Sequence, residues 1–366
     1  MTMTRRQFAR LGGMGVAGAS MLRGLPLLGQ ATGDRRVGYA MIGLGEIAKH
    51  FGGGVKESEH SAITGLVSGD RAKAEQWAKE YGVPTDSIYS YDDMDRMRDN
   101  KKIDAVYVAL PNSMHAEYTE RSAKAGKHVL CEKPMATTVE DARRMIAACA
   151  HANVKLMIAY RMQYEPLTLE VIQRLRAGEF GQIVAIDSAN GFNIRPNEWR
   201  LDGKLAGGGP LLDVGIYSLN ATRYLTGEEP VEFKATTFTH KDDPRFKEVE
   251  ETVSWTTRFP SGVLAACSTT YGGNMRGFLR VTGSKGSIEM SPAFDYEGIS
   301  AKFSKPGVPV EEKTNPEKDP AQFARQADYF SGCVFGNREP KSDGQEGLRD
   351  MEYMSKIYTA AGLHGL

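Results

Sequence analysis

The sequence is short of cysteine and has no surplus of either charge. Only four of its 366 residues are cysteines, Cys131, Cys149, Cys267 and Cys333, and no two of them form a C-x-x-C pair. Free thiols are therefore expected, not a disulfide framework or a zinc ribbon. Lys and Arg (46) balance Asp and Glu (46), which argues against nucleic acid or an anionic membrane surface as partner. No apolar stretch reaches the length that a bilayer crossing needs. No His, Cys and carboxylate cluster has ligand spacing, so no metal is expected. Internal repeats are also absent. What remains is ordinary globular composition, 41% hydrophobic and 25% charged, over a length that suits two domains.

Residues 1–31 read as a signal. Thr4-Arg5-Arg6-Gln7-Phe8 is a twin-arginine pattern, Leu11 to Leu22 is mildly apolar, and Gly29-Gln30-Ala31 offers small residues for cleavage. The expectation is export by the twin-arginine machinery to the periplasm, so this segment is left out of fold reasoning. The competing reading is a flexible basic tail. Similarity to such signals implies that the chain is exported already folded.

The rest is organised around Val37 to His50, VGYAMIGLGEIAKH. A short apolar run of strand length leads into Gly43, Gly45 and Ala48, the G-x-G-x-x-A form of the dinucleotide fingerprint. Gly43 permits a tight turn, Gly45 lets backbone approach a pyrophosphate, and Ala48 lets helix and strand pack closely. A helix starting at Glu46 would present its N-terminus to the phosphates, with Leu44 and Ile47 beside them.

From Val37 to Ala159 strands and helices alternate. Strands are expected at Ala62–Val67, Ile103–Leu110, His128–Cys131 and Val154–Ala159; helices at Arg71–Tyr81, Ser113–Ala125 and Val139–His151. This is a doubly wound parallel sheet, an α/β Rossmann domain over residues 32–159. After Tyr160 the period changes to alternation: Gln182–Ser188, Glu232–Thr239, Glu250–Phe259, Val263–Tyr271, Phe278–Gly283 and Gly286–Met290. Ser261-Gly262 and Ser284-Lys285 read as hairpin turns. Helices are expected at Thr168–Arg176, Leu211–Thr226, Gln322–Phe335 and Gln345–Ala361. Residues 160–366 thus read as an α+β domain with a large, mostly antiparallel open-faced sheet, for substrate and oligomer contacts, its last helix packing back on the first domain. The bare face of that sheet predicts a homodimer or homotetramer.

The cofactor choice follows from what comes after the second strand. An NAD-binding fold usually places a carboxylate there, but Val67 is followed by Ser68-Gly69, with Lys73 one turn into the next helix. A hydroxyl, a helix N-terminus and a cation suit the 2′-phosphate of NADP; Asp70 is the counter-signal.

Ligands of such sheets bind at the carboxyl ends of the strands. Two stretches fall there: Leu110-Pro111-Asn112-Ser113-Met114-His115 and Cys131-Glu132-Lys133-Pro134. Asn112 also reads as a helix cap and His115 as a first-turn helix residue. Farther on, Asp213 and Tyr217 are i and i+4, on one helix face. Oxidising an alcohol on a nicotinamide needs a base for the hydroxyl proton, and the reverse reaction needs the matching acid. A phenol can serve both, although its ordinary pKa of about 10 is high for a base near neutrality. A neighbouring cation corrects that, and Lys133 is the candidate. Asp213 would accept a substrate hydroxyl and fix its pose.

In order, G-x-G-x-x-A, Pro-Asn-x-x-His, Glu-Lys-Pro and Asp213-Val214-Gly215-Ile216-Tyr217 resemble the Gfo/Idh/MocA family over nearly the whole chain after the signal. Tyr217 in place of the family's usual His, with Tyr160-Arg161, Trp199-Arg200, Gly207-Gly208-Gly209 and Gly227-Glu228-Glu229-Pro230, resembles its glucose–fructose oxidoreductase branch. The resemblance implies cofactor contacts at Ser68, Lys73, Tyr91, Glu132, Lys133, Arg161, Trp199, Arg200 and Tyr296. It also implies substrate contacts at Lys133, Arg161, Asp213 and Tyr217, with Lys133, Tyr217 and Asp213 catalytic. It further implies a tightly held, non-exchanging NADP and ping-pong chemistry: an aldose to its aldonolactone, then an aldose or ketose to an alditol. Asn193 to Asn197 departs from that branch, so aldose–aldose and glucose–fructose exchange stay equally open. A conventional NADP-dependent sugar dehydrogenase with exchangeable cofactor is the runner-up. A nucleotide-holding sensor without turnover is the reading from another class.

Overall fold

A computed structural model describes residues 35–366; the export-signal reading of residues 1–31 lies outside them. The first half alternates strand and helix: β1 (Val37–Ile42), α1 (Glu46–Glu57), β2 (Ser61–Val67), α2 (Arg71–Tyr81), β3 (Ile88–Tyr89), β4 (Ala105–Val108), α3 (His115–Lys124), β5 (His128–Cys131), α4 (Val139–His151) and β6 (Leu156–Ile158). The second half runs α5 (Pro166–Arg176), β7 (Ile183–Gly191), α6 (Gly203–Ala206), α7 (Ile216–Thr226), β8 (Glu232–Phe238), β9 (Thr252–Arg258), β10 (Leu264–Thr270), β11 (Phe278–Gly283), β12 (Gly286–Met290), β13 (Ser300–Lys305), β14 (Val308–Thr314), α8 (Ala321–Phe335) and α9 (Gly344–Ala360).

The first sheet has the order β3-β2-β1-β4-β5-β6 and every pair in it is parallel. Its central strands are buried on both faces, as the continuous apolar runs Val37–Ile42 and Ala105–Val108 require. The helices start and stop on local chemistry. Asp70 caps α2 by accepting from the Lys73 amide, and Gly82, at φ 69°, ends it. Thr138 caps α4, Asp343 caps α9, and Glu165 caps α5 ahead of Pro166.

The second sheet has eight strands in the order β14-β13-β12-β11-β7-β10-β9-β8. It is antiparallel except for β7 and β10, which run parallel at its centre. One face packs on α5, α7 and, beside β8, α9; the other carries no helix among the described residues. Strand β9 shows the division in its alternation of buried Val253, Trp255 and Thr257 with exposed Ser254, Thr256 and Arg258. The bare face and its rim show Val184, Val231, Phe238 and Leu264, each more than half exposed.

Several boundaries differ from the expectation. Strands β13 and β14 were not foreseen. Strand β14 is the sheet's edge, exposed at nearly every position and charged at Glu311, Glu312 and Lys313, so it carries no buried stripe to betray it. The helix expected at Leu211–Thr226 is two pieces, a π-helical turn at Leu211–Gly215 and then α7. The chain also returns to its first sheet twice: Tyr39 Oη of β1 donates to the Ala327 carbonyl of α8, and Arg143 of α4 pairs with Glu352 of α9. Both C-terminal helices therefore brace the first sheet, where only the last was expected to. No helix among the described residues is long and apolar enough to cross a membrane.

Candidate active site

The nucleotide end is built on the β1–α1 turn. Gly43 has φ +88°, and a Cβ there would lie 2.4 Å from the Ala109 carbonyl oxygen, so only glycine fits. A Cβ on Gly45 would meet nothing within 4 Å. Gly45 is the helix N-cap and no side chain caps α1, which leaves its first amides free to donate. An open cradle at an uncapped helix N-terminus fits a pyrophosphate. Leu44 and Ala48 are buried behind it, while Glu46 is exposed.

Ser68 and Tyr91 lie against the Gly69-Asp70 turn after β2, and Lys73 stands in the first turn of α2. Ser68 Oγ accepts from the Asp70 amide, and the Tyr91 ring lies against Gly69. The Asp70 carboxylate is engaged by the Lys73 amide, so the counter-signal to NADP serves as a helix cap. The Lys73 ammonium lies 6.0 Å from the Trp77 ring centre.

The loops after β4 and β5 are tied together. His115 is fully buried, its Nδ1 2.8 Å from the Pro134 carbonyl oxygen and its Nε2 2.9 Å from that of Leu110. Burial pushes its pKa down against the pull of those carbonyls. Both ring nitrogens are committed, so the side chain braces the Leu110-Pro111 and Lys133-Pro134 turns and leaves no nitrogen for a nucleotide. Asn112 was expected to cap a helix, but its side chain does not; its amide donates to the Ala206 carbonyl at 2.9 Å. Glu132 is likewise turned inward. It accepts from Tyr107 Oη at 2.5 Å and from the Lys133 amide at 3.1 Å, and burial pushes its pKa up.

The expected chemical residues do converge. Lys133 Nζ donates to the Asp213 carbonyl at 2.7 Å and to Asp213 Oδ1 at 2.9 Å. Asp213 Oδ2 accepts from Arg200 Nε at 3.0 Å and Tyr271 Oη at 2.7 Å. Burial alone would raise the Asp213 pKa; the Lys133 ammonium, the Arg200 guanidinium and the hydrogen bonds overturn it and hold the carboxylate well below its usual range. Burial would likewise lower Lys133, but Asp213 first, then Tyr217 and Glu132, hold it above the usual lysine value.

Two expectations need refining here. Lys133 stands beside the Tyr217 phenol, its ammonium 5.0 Å from the ring centre, but the cation hydrogen-bonded to the phenol oxygen is Arg161, whose Nε donates to Tyr217 Oη at 3.1 Å. Arg161 can do this because a 3-10 turn at Arg161–Tyr164 directs it under Tyr217 and leaves it 5% exposed. Asp213 is not a free acceptor for a substrate hydroxyl. Two cations and a phenol already engage it, so its first task is to hold Lys133.

Tyr296 packs on the other face of this group, 4.5 Å from the Arg161 guanidinium and stacked on His50 of α1 at 4.5 Å. Trp199 lies against Arg200 at 4.8 Å. Sequence reasoning missed Tyr271 and Gln322. Nothing in the strand alternation marks Tyr271. Gln322 had a signal, an amide on the buried face of α8 beside Phe323 and Ala327. Among the described residues no His, Cys, Asp and Glu cluster could hold a metal ion, and all four cysteines are free and buried.

Residues 37–160 match the model of the oxidoreductase family with an NAD-binding Rossmann fold, and residues 168–289 match the GFO/IDH/MocA C-terminal domain. Among solved structures, an aldose-aldose oxidoreductase from Caulobacter crescentus complexed with glycerol is 44% identical, with a TM-score of 0.86 over 90% of this chain and 98% of that one. A D-xylose 1-dehydrogenase [NADP(+)] from Haloarcula marismortui is 31% identical over 91% of this chain and 93% of its own. A 3-ketoreductase from Actinomadura kijaniata in complex with NADP and TDP-benzene shares the fold at 23% identity and a TM-score of 0.78, over 89% of this chain and 98% of that one. With both halves matched in order by the family models, the chain belongs to the GFO/IDH/MocA family of oxidoreductases.

Proposed function

We propose that this NAD(P)-dependent sugar oxidoreductase holds NADP tightly and works by exchange between two sugars. An aldose is oxidised at C1 to its aldonolactone, and a second aldose or a ketose is then reduced to the alditol. The Gly43-Leu44-Gly45 turn, with Ser68 and Lys73, would hold the nucleotide, which when bound would supply the hydride acceptor for the first sugar and the hydride donor for the second. The chain's own residues manage the proton. Tyr217 Oη takes the C1 hydroxyl proton as hydride leaves and gives one back to the nascent alkoxide of the second sugar. Arg161 stabilises the negative charge that forms on the phenol oxygen, and Lys133, held by Asp213, supplies a second positive charge over the ring.

The observation that carries this reading is the 3.1 Å bond from a buried, permanent cation to Tyr217 Oη, beside a carboxylate-anchored lysine. The 2′-phosphate of NADP is supported by Ser68 and Lys73 and by the capping role of Asp70. The twin-arginine pattern supports export to the periplasm, where no nicotinamide pool is expected to exchange with the site. That is the reason for a resident cofactor and a second sugar to recharge it. The bare sheet face supports a homodimer or homotetramer. The NADP(+)-dependent xylose dehydrogenase relative favours the second reading, a dehydrogenase with exchangeable NADP.

The test is the near-ultraviolet absorbance of the purified protein, followed as aldoses and then ketoses are added, with the bound nucleotide extracted and identified. Retained NADP that one sugar reduces and another reoxidises is the expected result. Protein that gives up its nucleotide on dialysis overturns the exchange reading and leaves the dehydrogenase. A chromophore inert to every monosaccharide leaves only a sensor. Tyr217→Phe should keep its nucleotide and lose turnover by about two orders of magnitude or more; near-normal turnover would take the proton from Tyr217.

A further inference from the structure

We propose that Gln322 is a positioning residue for the acid–base step, acting through Arg161 on Tyr217; the inference rests on the reading of Tyr217 given above. Gln322 lies in the first turn of α8 and is 2% exposed. A buried amide must find partners on both of its ends. Here Oε1 accepts from Arg161 Nη1 at 2.6 Å, while Nε2 donates to the carbonyl oxygens of Tyr296 at 2.9 Å and Asp295 at 3.2 Å. Arg161 Nη1 also reaches the Asp295 carbonyl at 3.0 Å, and its Nη2 donates to the Phe294 carbonyl. A guanidinium is a rigid planar fork, so fixing its two outer nitrogens fixes the direction of Nε. That direction ends on Tyr217 Oη.

The partners share one property. Tyr217, Met162, Asp295, Phe294 and Gln322 all offer Arg161 a neutral acceptor atom. No carboxylate bonds to it among the described residues. Glu132 acts on it only through space, and its carboxylate is already engaged by Tyr107 and the Lys133 amide. A buried arginine usually has an anionic partner. Gln322 holds this one without neutralising it, which leaves the positive charge for the phenol oxygen. A glutamate at 322 would fill the same space and grip Arg161 harder, but it would quench that charge and face two carbonyl oxygens with no proton to give. The titratable groups around Tyr217 are Lys133 from the end of β5, Arg161 from the connecting turn and Tyr296 from the loop after β12, with Tyr160 and Tyr224 lining the same small cavity.

The experiment uses the full-length protein with its bound nucleotide and compares Gln322→Leu, Gln322→Glu and Tyr217→Phe, each alone, with each Gln322 change also combined with Tyr217→Phe. The expected result is a fall in kcat of roughly ten-fold for either Gln322 variant, with KM changed little. Nucleotide occupancy should be unchanged. The pH–rate profile should move to higher pH, farther for Gln322→Glu. The Tyr217-dependent phenolate absorbance, read as the difference from Tyr217→Phe, should move the same way. In the Tyr217→Phe background either Gln322 change should cost nothing more. Losses that multiply in the double variants, or a Gln322→Glu profile that overlays the wild type, overturn the proposal. Should Gln322→Leu fail to fold, Gln322→Glu carries the test alone. If Tyr217→Phe is dead and the Gln322 variants are normal, only this inference fails; if Tyr217→Phe is active, the reading beneath it fails.

Discussion

Asp213→Asn separates anchoring from chemistry. The carboxylate receives Lys133 Nζ, Arg200 Nε and Tyr271 Oη within 3.0 Å, and its side chain is 15% exposed. The amide keeps the shape but has one acceptor oxygen and turns an NH2 toward groups that are themselves donors. Two cations lose their shared counter-charge. Removing one partner of a buried ion pair costs about 3–5 kcal/mol. With an unfolding entropy of about 2.1 cal/mol/K per residue over residues 35–366, that is a fall in Tm of about 4–7 °C. Lys133 keeps one anchor, the Asp213 backbone carbonyl at 2.7 Å, so its ammonium shifts but stays in the cleft, and kcat should fall roughly ten- to hundred-fold, the range that small misplacements produce. The pH profile is the sharper measurement. Asp213 is the first group holding Lys133 above its usual value against burial. Without it burial is opposed only by Tyr217 and Glu132, so the ammonium loses its proton at lower pH and the alkaline fall in activity moves down. Calorimetry and a pH–rate series on wild type and variant check both halves. A variant with unchanged Tm and an unmoved alkaline limb would refute the claim that Asp213 holds Lys133.

Gly45→Ala should lower folding stability by less than about 1 kcal/mol, since its Cβ meets nothing and only the cap preference changes, yet weaken nucleotide binding roughly ten-fold or more by filling the phosphate's approach; titration of emptied protein, set beside its Tm, reads both. Gly43→Ala, facing a carbonyl oxygen at 2.4 Å, should instead fail to fold stably, as thermal melts would show. Asp350 is fully buried among Arg223, Glu346 and Asn220. Burial first, opposed by Arg223 and aided by Glu346, pushes it up to about 6. A raised carboxyl pKa gives stability that is present below its unfolded value near 4 and lost as pH rises through 6. The stability difference between wild type and Asp350→Asn should therefore shrink by about 2–3 kcal/mol between pH 4 and 7, and a flat difference in denaturant melts would remove the assignment.

What the sequence made legible was whatever repeats along the chain or sits at a fixed offset. The β1–α1 turn was readable because three small residues at set spacing have no other economical use after a strand. The parallel sheet was readable from runs such as Ala105–Val108, buried on both faces. Strand β14 was not, because an edge strand with charged residues on both faces has no period. The site shows the same division. Lys133, Asp213 and Tyr217 could be named from where they fall, at a strand end and on one helix face. Which cation touches the phenol could not, because Arg161 and Tyr217 are 56 residues apart and their meeting depends on how the connecting turn sits under α7. Tyr271 lay beyond reach for the same reason, and Gln322, whose place on the buried face of α8 could be seen, had no local pattern to name its partners.

The placement of these groups bears on why the chemistry sits at a seam. Lys133 comes from the end of the first sheet, Asp213 and Tyr217 from the turn and helix that cover the second, and Arg161 from the segment between them. The anchors cross the same boundary: Lys133 to Asp213, Arg161 to the Phe294 and Asp295 carbonyls, and His50 of α1 against Tyr296. A rigid-body shift of one sheet against the other would thus part cation from phenol before it disturbed either core. The two C-terminal helices oppose that shift. Helix α8 is tied to β1 through Tyr39 and to the site through Gln322, and α9 joins α4 to the buried Arg223 of α7. Bracing the first sheet from the chain's far end is what keeps a site assembled from two sheets within hydrogen-bond distance of itself.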